Sequence, residues 1–476
     1  MTTEGGTPDV PPAQAADDPG LLSAAQTSLL IDRYELAMAA SYLERGMNEP
    51  AIFELFVRKL PPGRDWLLLA GLGPALRMIA KMRFADAELG YLETLGFRPA
   101  LLRFLERFRF SGRIDAIPEG TVVFAGEPLV RVTAPRIEAQ LLETLLLNQI
   151  NFQTTIATKA ARVVLAAGGG EPGAGAHVVD FSARRDHGVD AAMKAARSAA
   201  IAGVRGTSNV AAAMRYGMTP VGTMAHSYVM SFANEQEAFV AFMEDTPGNT
   251  VLLVDTYDTL RGVRHAIAAA RQTGLALRGV RLDSGDLLTL SRQARHLLDE
   301  AGMRDAEIVA SGDLEELQIA QLVAAGAPID IWGVGTELGT SRDAPALGGV
   351  YKLVADATPG RSGWRPVSKR SPAKATIPGP KQVFRHFRAG TMVGDLVAEA
   401  SERRAGQPLL ERFVHDGKLV RRESLETLRA RALDGLTALP EGLRRPKPRR
   451  AVPYPVTYSK RLLRLAPGAG DKYRYP

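Results

Sequence analysis

Between residues 177 and 333 the chain repeats one pattern: a short apolar run, a stretch with helical spacing, then another apolar run. The runs cover 177–181, 220–223, 251–255, 279–283, 307–311 and 330–333. Helical patterns between them cover 189–203, 234–244, 259–273, 287–301 and 314–325. A strand buried on both faces has no polar side to alternate, and consecutive parallel strands need a crossover that a helix supplies. The repeat therefore restricts this region to an α/β fold with a parallel sheet or barrel.

Each run ends on something reactive or glycine-rich. The endings are Asp180-Phe181-Ser182, Thr223 with His226, Asp255-Thr256, Arg281 with Asp283-Ser284-Gly285, Ser311-Gly312-Asp313, and Gly333-Val334-Gly335-Thr336. Single strands often end on polar residues, but a succession of such endings points to one site at the carboxyl ends of the strands, where α/β barrels carry their chemistry. Arg184, Arg185 and Arg281 suit phosphate or carboxylate, which guanidinium grips through paired hydrogen bonds; an arginine of this kind taken alone is more often a surface ion pair. The loop 333–336 follows a strand, so its backbone N–H groups could cradle a phosphate. Asp283 is placed to meet a sugar diol or Mg2+, whereas Asp286 could simply cap the next helix. His226 sits among small residues that let a ligand approach, and reads as a nucleophile or proton carrier, with His187 a weaker second. The stretch 251–259 resembles the phosphate loop of the ordinary phosphoribosyltransferases only superficially. Thr256 and Tyr257 separate its acids, and Tyr257 is too bulky for a phosphate turn.

The rest of the chain frames this region. Its 476 residues, 46% hydrophobic and 23% charged, are enough for two domains. Zero cysteines exclude disulfides, thiolate metal sites and a cysteine nucleophile. The seven histidines lack metal-ligand spacing, so no zinc is expected. No segment is long and apolar enough to cross a bilayer. Residues 1–24 lack the basic start and apolar run of a signal peptide, and are expected to be a disordered tail on a cytoplasmic protein. The net charge of +7 is concentrated in Arg444, Arg445, Lys447, Arg449 and Arg450, a proline-interrupted connector or, alternatively, a patch for polyanions. Helices are expected at 26–44, 73–82, 85–95 and, as one long element, 137–167; alternating runs at 121–124 and 129–132 predict strands. The glycines 168–170 precede a strand and so read as a linker. Past Leu353 the chain turns basic and proline-rich, with weaker helical spacing, and is expected to pack back on the first domain. The expected organisation is a tail over 1–24, an N-terminal α+β domain over 25–136, an α/β barrel with the site over 137–354, and a C-terminal segment over 355–476.

Several ordered motifs make the chain resemble the nicotinate phosphoribosyltransferase family. They are LIDRYELAM at 30–38, FELFVRKLP at 53–61, LLNQINFQTTIATKAAR at 146–162, DFSARRDHG at 180–188, GTSNV at 206–210, GTMAHS at 222–227, RLDSGDL at 281–287, WGVGT at 332–336 and KATIPGPKQVFR at 374–385. The match runs from about 26 to 460. It implies an irregular α/β barrel joined to an N-terminal α/β domain that the C-terminal segment completes. It also implies a head-to-tail homodimer with shared active sites, acting on nicotinate, phosphoribosyl pyrophosphate and ATP. By resemblance, Tyr34 from one subunit and Phe181 from the other sandwich the pyridine. Thr223 and Arg281 face nicotinate, Arg281 meeting its carboxylate, and Ser208 stands where nicotinamide enzymes carry an aspartate. Arg184, Gly333, Gly335 and Thr336 hold phosphate or pyrophosphate, with Ser311 and Gly312 nearby. Asp283 lies by the ribose and Mg2+, and His226 matches a histidine phosphorylated by ATP. The zinc element of some relatives needs cysteines that this chain lacks.

The nearest rivals are a nicotinamide and, more distantly, a quinolinate phosphoribosyltransferase. A Schiff-base aldolase would need a lysine at a strand end, but Lys159 and Lys194 fall in helical patterns. A non-enzymatic polyanion-binding protein rests on the basic stretch alone.

Overall fold

The computed structural model describes residues 26–173, 177–358, 363–369, 376–445 and 453–466. The tail expected at 1–24 and three of the clustered cations, Lys447, Arg449 and Arg450, lie outside the described residues. The α/β fold is the one expected. Its centre is a seven-stranded parallel sheet in the order Thr219–Pro220, Gly206–Thr207, His177–Asp180, Ile331–Val334, Glu307–Ala310, Gly279–Leu282, Val251–Leu253. Asp180 pairs in register with both Val334 and Thr207, and Leu282 with Ala310, so the carboxyl ends lie side by side. Five of the expected strands stop at or just before the polar endings, which puts Phe181, Asp255, Asp283, Ser311 and Thr336 just past the sheet.

Two strands differ from expectation. The run at 220–223 contributes only Thr219–Pro220, both exposed. Pro220 has no N–H to donate, and this is a sheet end, where proline is tolerated but a strand does not extend. Gly206–Thr207, adjoining it, is too short to show any alternation. Thr219–Pro220 and Val251–Leu253 stand at opposite ends of the strand order, so the barrel is incomplete, and the chain between them carries His226.

The long helical pattern is divided into Arg136–Gln140 and Glu143–Ala167, with the buried Leu141 and Leu142 at the turn. Similarly, the first expected helix becomes a 3-10 turn, Gln26–Leu29, and a helix, Arg33–Glu44. A second, antiparallel sheet contains Pro50–Val57, Pro128–Pro135 and Arg113–Ala116, flanked by later chain: Gly349–Ala357 on one side and Glu411–His415 on the other. Phe53 pairs with Leu353 and Ile114 with Val414. The expected limit at 354 falls inside the strand Gly349–Ala357.

Past 353 the regular structure of the described chain is mostly strand, with short helices and one longer one, Leu425–Ala438, whose cap Ser424 accepts a hydrogen bond from Thr427 N. Its buried Leu428, Ala432 and Leu436 form the apolar stripe that a docked helix needs. Two cations of the KATIPGPKQVFR motif serve the fold: Lys381 donates to Glu54 (2.7 Å) and Arg385 to Asp395 (2.7 Å), all buried. Burial lowers the Lys381 pKa against the pull of Glu54. No helix among the described residues is long and apolar enough to cross a membrane.

Candidate active site

Arg281, near the end of the strand Gly279–Leu282, organises the mouth of the sheet. Its Nε donates to Ser311 Oγ (2.8 Å), Nη1 to Thr223 Oγ1 (3.3 Å) and Nη2 to Asp283 Oδ1 (2.6 Å). The guanidinium carbon lies 5.2 Å from the centre of the Phe181 ring. Guanidinium has five N–H donors, so one remains on each terminal nitrogen for a ligand. Burial would raise the Asp283 pKa, but hydrogen bonds from Ser311 and Arg281 outweigh it and hold the carboxyl below its usual range.

His226 opens the short helix His226–Met230 over the gap in the sheet. Its Nδ1 lies 3.1 Å from Thr256 Oγ1, and its Nε2 lies 3.9 Å from Asp283 Oδ2. With Nδ1 engaged by Thr256, Nε2 faces the site. Asp255 Oδ2 accepts from Asp283 N (3.1 Å) and Ser284 Oγ (2.6 Å) and so fixes the turn that carries Asp283. A Cβ on Gly312, where φ is +89°, would lie 2.0 Å from Asp283 O; only glycine permits this approach.

Among the described residues no three His, Asp or Glu side chains group tightly enough to cage a metal. The buried Asp255 Oδ1 has no hydrogen-bond partner, and Asp283 Oδ2 is turned to the site. Two hard oxygens of this kind, completed by substrate phosphates, fit Mg2+.

The glycine loop follows the strand that lies between those leading to Phe181 and Ser311. A Cβ on Gly333 would lie 2.5 Å from the Phe181 ring, and one on Gly335 3.3 Å from Phe181 O, so the glycines let the aromatic residue lie against the strand. Thr336 opens the turn Thr336–Thr340, whose first N–H groups have no acceptor one turn back. Arg184 is exposed on the adjoining loop after Phe181. That loop is pinned by Asp180, which accepts from Ser182 N (2.8 Å) and Thr207 Oγ1 (2.8 Å). Burial, with the Asp180 carboxylate beside it, pushes the Asp186 carboxyl up to about 6. Ser208 is exposed past the next strand, its N–H bonded to Asp180 O (2.8 Å).

Phe181, Arg281, Thr223, Asp283, Ser311 and His226 are thus joined by contacts, with Gly312, Gly333 and Gly335 shaping the space around them. Tyr34 is placed elsewhere. It is 47% exposed in a groove of about 390 Å³ with Asn151, Phe152 and Leu347, and its hydroxyl bonds Glu143. Asp286 caps the helix Leu287–Glu300, accepting from Leu288 N and Thr289 N, and Asp258 caps Thr259–Thr273. Thr256, Asp255 and Asp180 were not singled out as site residues in the sequence. Their only signal was the same strand-end position, and their partners come from other strands.

Guanidinium, aromatic ring and glycine loop, ranged along the carboxyl edge of a parallel sheet, define an enzyme class that grips anionic, phosphorylated small molecules. The model of the NAPRTase N-terminal domain matches residues 29–151 and that of the NAPRTase family residues 176–339. The chain belongs to the nicotinate phosphoribosyltransferase family. It is 47% identical over 441 residues to nicotinate phosphoribosyltransferase pncB2 of Mycobacterium tuberculosis, covering 92% of each chain. It is 44% identical to nicotinate phosphoribosyltransferase of Bacillus subtilis, covering 81% of this chain and 79% of that one. Among solved structures, human nicotinic acid phosphoribosyltransferase superposes with a TM-score of 0.78 at 28% identity, over 91% of this chain and 98% of that one.

Proposed function

We propose that this chain transfers the phosphoribosyl group of 5-phosphoribosyl 1-diphosphate to nicotinate, giving nicotinate mononucleotide and diphosphate, the entry of nicotinate into NAD synthesis. The observation that carries this is Arg281 beside Phe181, with free N–H donors next to an aromatic ring. A carboxylate on a flat heterocycle meets both at once.

The bond from ribose C1 to the diphosphate oxygen breaks, its electron pair leaves with the diphosphate, and the pyridine nitrogen supplies the pair for the new C1–N bond. The nucleophile needs no deprotonation, so catalysis is orientation and stabilisation of the departing charge. Phe181, Thr223 and Arg281 orient nicotinate. Arg184, Gly333, Gly335 and Thr336 hold phosphate, with Ser311 and Gly312 beside them, and Asp283 faces the ribose. Mg2+, held by Asp283 with Asp255, would neutralise charge on the diphosphate.

ATP is a co-substrate in this account. His226 Nε2 attacks its γ-phosphorus, ADP leaves, and water later removes the phosphoryl group, coupling ATP hydrolysis to synthesis. The exposed Tyr34 fits a head-to-tail homodimer in which it closes the partner's pocket.

Incubating the protein with phosphoribosyl pyrophosphate and nicotinate, nicotinamide or quinolinate, with and without ATP, tests the assignment. Nicotinate mononucleotide is the expected product, and ATP should increase its yield. Preferential formation of either of the other mononucleotides, or none at all, refutes it.

A further inference from the structure

On its upstream side the glycine loop is fixed by the buried Val334 of its strand; on its downstream side its position depends on what holds the chain that follows. The chain immediately after it is held by a buried group of charges from distant parts of the sequence. Arg64, from the loop after Pro50–Val57, grips Asp343 with both terminal nitrogens (2.6 and 2.9 Å) and donates to Ser341 Oγ (3.2 Å). Ser341 has φ of +44°, a backbone state that a serine holds only when its surroundings enforce it. Lys159, on the helix Glu143–Ala167, donates to Asp343 Oδ1 (3.0 Å). It pairs with Glu316 (2.5 Å) and lies 3.7 Å from Glu337, the residue next to Thr336. Arg162 completes the set on Glu316 (2.9 Å).

Three cations thus meet three carboxylates, with Lys159 and Glu316 each 1% exposed. Burial would raise the Asp343 pKa, but Arg64 and Lys159 hold it far below the carboxylate range. The same segment packs on the loop that carries Arg184: a Cβ on Gly339 would lie 1.9 Å from Asp186 Oδ1, so glycine there lets 336–343 lie directly against that loop.

We propose that Arg64 and Lys159 are positioning residues: without touching substrate, they hold 337–343 so that the glycine loop and the Arg184 loop face one phosphorylated ligand. This rests on the phosphate-binding role proposed for the glycine loop. A buried ion group that served stability alone would alter melting and leave ligand affinity unchanged in folded variants.

Calorimetric titration of the full chain with inorganic pyrophosphate separates the two. Arg64→Lys keeps the charge and removes the paired donors, and Lys159→Met removes the charge. Each is expected to weaken pyrophosphate binding about tenfold or more and to raise KM for phosphoribosyl pyrophosphate similarly, with KM for nicotinate within about twofold of native. Asp343→Asn, whose side chain is 42% exposed, gives the same readout if a buried variant fails to fold. Folded variants that bind pyrophosphate like the native chain, or that raise both KM values alike, overturn the positioning role. A native chain that does not bind pyrophosphate refutes the phosphate reading itself, and the positioning role falls with it.

Discussion

At the scale of single residues, charge decides what the pocket accepts. Nicotinate and nicotinamide differ by a carboxylate against a carboxamide, and in the proposed site that group meets the N–H left over on each terminal nitrogen of Arg281. Ser208, past the strand beside Phe181, is neutral. An aspartate there would repel nicotinate and accept from an amide. Ser208→Asp should cut the preference for nicotinate roughly a hundredfold, read as the ratio of kcat/KM values for the two pyridines. An unchanged ratio would remove Ser208 from the specificity account while leaving Arg281 in it.

Glu35, next to Tyr34, makes a second residue-level test. Burial, reinforced by Glu143 and Asp32 against the hydrogen bonds from Thr144, pushes its pKa up to about 7. The folded chain therefore keeps a proton that the unfolded chain has released, so stability falls as pH rises from the ordinary carboxylate range to 7. Glu35→Gln should remove about 2 kcal/mol of that pH dependence. Melting of the variant between pH 5 and 8 should follow a flatter profile than native; parallel profiles would contradict the shift.

At the scale of elements, the gap in the sheet is where the proposed ATP chemistry would take place. The helix His226–Met230 follows the short exposed strand Thr219–Pro220, and Thr256 from the other end of the strand order engages Nδ1 of His226. That leaves Nε2 as the atom that would take the phosphoryl group in the proposed reaction. His226→Ala should abolish acid-labile labelling by γ-labelled ATP and remove ATP stimulation of synthesis; labelling at the native level would assign the phosphoryl group to another residue.

Elements also show what could be read in advance. Gly279–Leu282 and Glu307–Ala310 were legible because buried parallel strands are continuous apolar runs that end on their functional residues. Gly206–Thr207 was not, since two residues carry no period. Nor was the pairing of Gly349–Ala357 with Pro50–Val57, which is set by contacts hundreds of residues apart. In the site, Arg281, Asp283 and His226 stood out by residue type and strand-end position. Thr256 and Asp255 did not, because their roles exist only through partners on neighbouring strands.

At the scale of the whole molecule, Tyr34 and the mouth of the sheet are separate places on one chain. Tyr34 is half exposed beside Asn151 and Leu347. Val210 and Met214 are 71% and 85% exposed on the helix after Ser208, apolar surface that the proposed second copy would cover. If each site takes Tyr34 from the other subunit, mixing two inactive variants, Tyr34→Ala and Arg281→Ala, yields heterodimers with one intact site. Recovery approaching a quarter of native activity is then expected after complete subunit exchange, since half the molecules are mixed and each has one working site of two. No recovery after verified exchange would place Tyr34 outside the shared site.

The most direct test of the whole account is a crystal structure of the protein with nicotinate mononucleotide. The account predicts the pyridine ring against Phe181, its carboxylate on Arg281, the phosphate at Gly333–Thr336, and Tyr34 of the partner subunit on the opposite ring face. A pyridine bound away from Arg281 and Phe181 would contradict it.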